Sequence, residues 1–109
     1  PRFINSIVNS KEIQKRMIKK KSKWSKEKYQ ILLNNKSNEI IEYLNKKHIG
    51  SRNPFILGGA IVYCADKLLA REHKTKSILT QKSASKAMKI AEYSIRDHYV
   101  KVLKPIFKL

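Results

Sequence analysis

Six basic side chains in the last third of the sequence could bind a polyanion. They are Lys82, Lys86, Lys89, Arg96, Lys101 and Lys104. Helical spacing places them on the outward sides of two predicted helices, where only Glu92 and Asp97 oppose their charge. Lysine and arginine side chains neutralise phosphates, which gives affinity without sequence information. This segment therefore predicts a surface that binds nucleic acid.

Other reactive residue types show no spacing typical of catalysis or metal binding. Three histidines lie far apart in the sequence: His48, His73 and His98. Cys64 lies in an apolar run without an activating neighbour, so we expect a buried, inert thiol. We interpret Asp66 and Glu72 as surface charges of a helix. We therefore expect a binding protein without catalysis and without a cofactor.

The overall charge of the chain agrees with a polyanionic partner. The 109 residues include 25 Lys or Arg and 8 Asp or Glu, with a net charge of +17 and a pI of about 10.2. Such an imbalance favours nucleic acid over an anionic membrane surface. The single cysteine excludes an internal disulfide and indicates a reducing compartment. The length indicates one domain over residues 1–109, and the start at Pro1, without methionine, suggests a fragment or processed product.

The longest uncharged run predicts the core helix. Residues 54–65 carry no charge in a chain that is 30% charged, so no polar face recurs every 3.6 residues. This pattern predicts a helix that is buried on all sides, from Pro54 to about Leu69. Gly58 and Gly59 each lower helix propensity by about 1 kcal/mol, which predicts the close approach of another helix.

Amphipathic patterns predict three helical segments before the core helix. We expect a helix over the first eight residues, a second capped by Asn9, and a third capped by Ser25. Trp24 and Tyr29 flank that third start as a hydrophobic staple. The third segment is one long helix or two short ones, and it ends at a turn over residues 50–53.

After the core helix, the sequence predicts a pair of short helices. We expect a loop over residues 70–77, a helix capped by Thr80, a connection of about four residues, and a last helix capped by Ser94. Pro105 ends or kinks the last helix. Two helices joined in this way form a helix-turn-helix candidate over about 79–104.

Three blocks of the sequence carry a family resemblance. They are residues 1–3 (PRF) with 10–16 (SKEIQKR), residues 51–54 (SRNP) before 61–63 (IVY), and residues 80–82 (TQK) with 90–99 (IAEYSIRDHY). In order and spacing these blocks resemble the second cyclin-fold repeat of the transcription factor IIB and archaeal transcription factor B family.

The resemblance implies an all-α, five-helix cyclin-like fold that binds double-stranded promoter DNA beside TATA-binding protein and helps recruit RNA polymerase. It implies a nuclear location, or the cytoplasm in an archaeal or viral setting, with no role at a membrane. Carried over by position, three residues would lie at or near base edges: Tyr93, Ser94 and Arg96. Three others would lie near phosphates: Thr80, Gln81 and Lys82. A guanidinium can bond bidentately to guanine O6 and N7, with about 1–3 kcal/mol of discrimination.

Three features depart from the family pattern. A Lys-rich insertion over about 19–39, which contains Trp24, adds an extended or extra helix to the N-terminal half. Lys89 replaces a turn glycine. Tyr93 replaces a small branched residue that touches DNA in the family.

Other functions and roles compete with this interpretation. The related factor that serves RNA polymerase III is the nearest alternative. A cyclin-type domain that binds partner peptides would not need the basic helix pair, and a protein that coats nucleic acid would not need the block at 94–99. Arg96 could instead pair with Glu92, and the lysines of residues 11–28 could form a solvated face.

Overall fold

The computed structural model describes residues 2–20, 23–47 and 54–109, and every regular element within these ranges is helical. In chain order these elements are α1 (Arg2–Asn9), α2 (Lys11–Lys19), α3 (Lys26–Lys46), α4 (Pro54–Glu72), α5 (Gln81–Met88), α6 (Glu92–His98), a π helix (Tyr99–Leu103) and α7 (Lys104–Phe107). The prediction of an all-α chain is confirmed. The predicted turn over residues 50–53 lies outside the described residues.

The core helix is α4, which packs against α1, α3, α5, α6 and the π helix. From Leu57 to Leu69, all side chains except Gly58 and Lys67 are buried. The predicted burial of this helix on all sides is thus confirmed. Residues 70–72 were expected in a loop but form the last turn of α4, because the apolar face of the helix extends to Leu69.

Two glycines let neighbouring side chains approach the backbone of α4. A Cβ atom at Gly58 would lie 3.3 Å from Cε2 of Phe3, which belongs to α1. At Gly59 a Cβ atom would lie 2.5 Å from Cδ1 of Ile90, which lies in the turn between α5 and α6. A helix therefore approaches Gly58 as predicted, whereas a turn residue occupies the space beside Gly59. The second contact holds the α5–α6 turn against the core helix.

A single residue, Ser10, separates α1 from α2. Its hydroxyl accepts a hydrogen bond from the Ile13 amide at 3.4 Å, and its extended backbone makes it the cap of α2. The prediction that Asn9 caps this helix is wrong, because Asn9 is the last residue of α1. The Gln14 side chain donates to the Val8 carbonyl at 3.0 Å, which ties the two helices together.

One continuous helix of 21 residues, α3, follows the predicted cap at Ser25. The Ser25 hydroxyl accepts from the Lys28 amide at 3.2 Å, and the Trp24 ring stacks on Tyr29 with ring centroids 6.0 Å apart. The predicted cap and staple are both confirmed. The buried side chains of α3 recur along one face: Tyr29, Leu33, Ser37, Ile40 and Leu44. Much of the segment predicted as an insertion therefore lies in a helix that packs against α4.

One carboxylate, that of Asp66 in α4, is buried within the described core with only 1% of the residue exposed. Its Oδ1 accepts from the Tyr29 hydroxyl at 2.8 Å and the Ile78 amide at 3.2 Å, and its Oδ2 accepts from the Leu79 amide at 3.0 Å. Burial raises the pKa of Asp66, whereas these donated hydrogen bonds and the charge of Lys67 oppose the rise. The interpretation of Asp66 as a surface charge is wrong. The carboxylate joins α3, α4 and the segment before α5.

The backbone remains helical from Glu92 to Phe107, but it changes type before Pro105. The Lys104 amide donates to the Tyr99 carbonyl, five residues earlier, which is the bond of a π helix. Proline has no N–H, and its ring clashes with the carbonyl four residues earlier in a regular α-helix. The wider π turn accommodates the proline, so the helix does not end there.

We expect Tyr29→Phe to lower the free energy of unfolding by about 1–3 kcal/mol, because it removes one of the donors to the buried Asp66 carboxylate. Tyr43→Phe is the matched control, since Tyr43 is 40% exposed and lies on the same helix. Urea unfolding followed by far-UV circular dichroism measures both variants. Equal losses in the two variants would contradict the role given to Asp66.

Candidate nucleic-acid interface

The first helix of the predicted pair, α5, begins at a reciprocal cap. The Thr80 hydroxyl accepts from the Ser83 amide at 3.0 Å, and the Ser83 hydroxyl accepts from the Thr80 amide at 2.9 Å. The predicted cap at Thr80 is confirmed. The two hydroxyl oxygens also lie 3.1 Å apart, so the helix start uses much of the hydrogen-bonding capacity of Thr80. A contact of Thr80 with a phosphate stays a prediction.

The following residues of α5 divide between the core and the surface. Gln81 is half-buried, and its side chain lowers the pKa of Tyr63 of α4, against the larger rise that burial causes. Lys82 and Lys86 are one helical turn apart, and both are exposed. Thus Gln81 contributes to packing on α4, while the two lysines remain accessible to a partner.

The turn between α5 and α6 consists of residues 89–91 and is held by specific hydrogen bonds. The Ser85 hydroxyl donates to the Ile90 carbonyl at 2.6 Å, and the Ile90 amide donates to the Ser85 carbonyl at 3.3 Å. Lys89 ends α5 in the left-handed region, with φ 57° and ψ 42°. This conformation costs a non-glycine residue about 1–2 kcal/mol. Because the Lys89 side chain is exposed, packing does not explain a lysine there.

The second helix of the pair, α6, begins three residues before the start that a cap at Ser94 predicts. Ala91 is the residue that precedes it, and no side chain caps it. The prediction that Ser94 caps this helix is wrong, because Ser94 lies in the first turn. Ser94 is half-buried, and its carbonyl accepts from Nδ1 of His98 at 2.9 Å. Glu92 now occupies the first turn, where its charge complements the helix dipole.

Three exposed side chains follow one side of α6 into the π helix. Tyr93 is 66% exposed and Val100 is 47% exposed, and Arg96 between them is exposed as well. Residues three and four apart lie next to each other on a helix surface. The ion pairs formed among the described residues do not include Arg96, so the alternative pair with Glu92 is absent there. The Arg96 guanidinium is thus available to an external acceptor.

Lys101 differs from the other predicted contact residues because a carboxylate accompanies it. Its Nζ lies 2.9 Å from Oδ1 of Asp97, one helical turn earlier. An exposed pair of this kind contributes only about 0.3–0.5 kcal/mol to stability. However, the charge of Asp97 weakens the attraction of Lys101 for a phosphate. Its binding role stays a prediction, and the structure favours other lysines for it.

Two packed helices thus carry a set of accessible groups that we call the α5–α6 face. The α5–α6 face consists of Lys82, Lys86, Lys89, Tyr93 and Arg96. Ammonium groups suit phosphates, and a guanidinium suits either a phosphate or the edge of a guanine. The Tyr93 ring adds an apolar surface and a hydroxyl beside the guanidinium. The chemistry of this set fits a partner that combines phosphates with polar base edges.

Two basic residues hold the segment before α5, a role that was not expected from the sequence. Nε of Arg16 donates to the Ile78 carbonyl at 2.7 Å, and Nζ of Lys20 donates to the Ser77 carbonyl at 2.9 Å. Both side chains are half-buried, so the basic stretch from residue 11 to residue 28 is not wholly a solvated face. The sequence feature that could have indicated this packing is Asp66, an acidic residue that directly follows the uncharged run of the core helix.

Other kinds of site have little support within the described ranges. No three His, Cys, Asp or Glu side chains there come together in a group that could hold a metal ion. Cys64 is fully buried as predicted, and burial raises the pKa of its thiol to about 12. Among the helices described, none has the length and apolar character needed to cross a membrane.

Comparison of the chain with protein-family models, curated proteins and solved structures finds no match. The resemblance to factor B repeats therefore depends on the three sequence blocks, whereas the α5–α6 face depends on the geometry of its own residues.

We expect Lys89→Gly to raise the free energy of unfolding by about 1 kcal/mol, because glycine adopts the left-handed conformation without steric penalty. The same variant should bind nucleic acid more weakly, because it loses one cation of the α5–α6 face. Urea unfolding and fluorescence anisotropy with a labelled duplex measure the two effects.

Lys108→Gly is the matched control for this variant. Lys108 also has a positive φ, of 55°, and an exposed side chain. Its carbonyl accepts from Arg71, whereas Ile90, the neighbour of Lys89, packs on Gly59. The two lysines are thus held by residues of α4 that are twelve positions apart. Lys108→Gly should be neutral or stabilising and leave binding unchanged. An equal loss of binding in both variants would remove Lys89 from the interface.

Proposed function

We propose that this chain binds duplex DNA through the α5–α6 face, as a helix-turn-helix within a cyclin-like domain. The observation that carries the proposal is the Arg96 guanidinium, which is exposed and free of ion pairs among the described residues. Tyr93 lies beside it on α6, and exposed lysines lie on the adjoining helix. This combination supplies one group for reading bases and several for binding phosphates.

The arrangement of α5 and α6 supports the major groove as the binding site. In helix-turn-helix proteins the second helix enters that groove, and residues near its N-terminus contact base edges. Tyr93 is the second residue of α6 and Arg96 follows one turn later as the fifth, and both are exposed. The first helix crosses the sugar-phosphate backbone in such complexes. Lys82 and Lys86 on α5 are accessible for that contact.

The resemblance in three sequence blocks supports a more specific role. We propose that the chain acts as the second cyclin-like repeat of a factor B–like transcription initiation factor. It would bind promoter DNA beside TATA-binding protein and help recruit RNA polymerase. The chain would contribute binding energy to the initiation complex. Base contacts from α6 would set the position of the complex on the DNA, and the lysines would add affinity.

We expect Arg96→Ala to reduce discrimination between base sequences by about 1–3 kcal/mol, because it removes the side chain suited to bidentate contact with guanine. Lys82→Ala should instead weaken binding to all sequences alike and lower the slope of log K against log salt by about 1. Lys82 is preferred to Lys101 here, because Asp97 already accompanies Lys101. Titrations with a matched series of duplexes at several salt concentrations separate the two effects. Identical effects on every duplex would contradict base reading by Arg96.

We expect TATA-binding protein to increase the affinity of the chain for promoter duplexes, because both proteins would contact adjacent DNA. Electrophoretic mobility shifts with and without TATA-binding protein measure this gain. Scrambling the base pairs upstream of the TATA box provides the control and should abolish the gain. Binding that is unaffected by TATA-binding protein and by scrambling would indicate only a general affinity for nucleic acid. The absence of binding would favour a domain that binds partner peptides.

A further inference from the structure

Four cationic side chains hold the segment between α4 and α5 by its backbone. They form what we call the cationic clasp: Arg16, Lys20, Lys23 and Lys67. Arg16 donates to the Ile78 carbonyl at 2.7 Å, and Lys20 donates to the Ser77 carbonyl at 2.9 Å. Lys23 donates to the His73 carbonyl at 3.2 Å, and Lys67 donates to the Leu79 carbonyl at 2.8 Å. The clasp brings α2, α4 and the residues before α3 together on one short stretch of chain.

The hydrogen-bond acceptors of the cationic clasp are neutral carbonyl oxygens, so its four positive charges are offset only in part. Asp66 is the carboxylate that counters it, and this group already accepts three hydrogen bonds from neutral donors. Burial and then the charge of Arg16 lower the pKa of the Lys20 ammonium, the Asp66 carboxylate opposes this, and Lys76 and Lys19 lower the pKa further. Positive charge is therefore concentrated around the clasp.

The charge continues onto the surface next to the clasp. Four lysines of α2, of the residues before α3 and of the segment after α4 are exposed: Lys19, Lys23, Lys74 and Lys76. The lysines that form ion pairs among the described residues are Lys36 and Lys101, and none of these four lysines is among them. Lys19 and Lys76 thus present charges that no described carboxylate neutralises.

The clasp and the α5–α6 turn lie at opposite ends of α5. Asp66 binds the amides of Ile78 and Leu79, which places the start of α5 near the level of Asp66. Ile90 of the α5–α6 turn packs on Gly59. Gly59 lies seven residues before Asp66 on α4, which corresponds to a distance of about 10 Å along the helix axis. Exposed cations therefore flank both ends of α5.

We infer that Lys19 and Lys76 form a second contact with the phosphate backbone of the duplex that the α5–α6 face binds. This inference rests on the proposed function and extends the binding surface to α2 and the segment after α4. In helix-turn-helix complexes the first helix, here α5, crosses the sugar-phosphate backbone. The unneutralised charge beside the clasp complements phosphates at that position.

The test compares the full chain with a Lys19→Gln, Lys76→Gln double variant. Each phosphate contact contributes about 0.9 to the slope of log K against log salt, so the double variant should lose close to 2. Between about 50 and about 200 mM salt, its affinity should fall about tenfold less than that of the unmodified chain. Its discrimination between base sequences should be unchanged. Circular dichroism and thermal unfolding establish that the variant is folded.

A Lys46→Gln, Lys47→Gln double variant is the matched control. It removes the same charge from exposed positions at the far end of α3, a helix about 30 Å long that begins just after the clasp residues. This control should keep the slope of the unmodified chain. An equal fall in slope for the control would overturn the inference, since any surface lysine would then suffice.

The Arg96→Ala variant distinguishes failure of the inference from failure of the proposed function. If Arg96→Ala alters discrimination while the Lys19, Lys76 variant keeps the full slope, the second contact is refuted and the α5–α6 face stands. If the unmodified chain does not bind duplex DNA, both proposals are refuted.

Discussion

The arrangement of this fold depends on one buried carboxylate, that of Asp66. Moving an unpaired carboxylate out of water costs several kcal/mol, so the core must supply donors to it. Here the donors come from Tyr29 on α3 and from the amides of Ile78 and Leu79. These bonds determine where the chain after α4 turns back onto the core, and hence where α5 begins. The position of the candidate interface thus depends on an interaction in the interior.

Local signals in the sequence were sufficient to predict much of the fold. The uncharged run gave α4, and the oxygen-bearing side chains of Ser25 and Thr80 marked two helix starts correctly. The cap of α2 was predicted as Asn9 but is Ser10. Both residue types can cap a helix, and the tertiary path of the chain decides which of two adjacent polar residues does so. The burial of Asp66 could not be predicted, because its donors come from distant segments that only the folded core brings together.

The candidate site was predictable to a similar extent. Exposure of Lys82 and Arg96 followed from helical spacing, and the structure agrees. The half-burial of Gln81 was not predictable, because it depends on contact with Tyr63 from another helix. Helix boundaries also mattered, since a start at Glu92 rather than after Ser94 places Tyr93 within α6. Spacing alone could identify the charges, but packing decides which of them remain available.

The π helix before Pro105 also changes which residues share one side of the helix. A π turn holds about one more residue than an α turn, so it is equivalent to a single inserted residue that the fold has absorbed. Side chains after Leu103 are consequently rotated by about 100° from the register of α6. Lys104 would lie about 80° around the axis from Arg96 in a continuous α-helix, whereas the π turn brings it to within about 20° of Arg96. In evolutionary terms, deleting one codon between residues 99 and 103 would restore a regular α-helix and leave Lys104 on the same side of it.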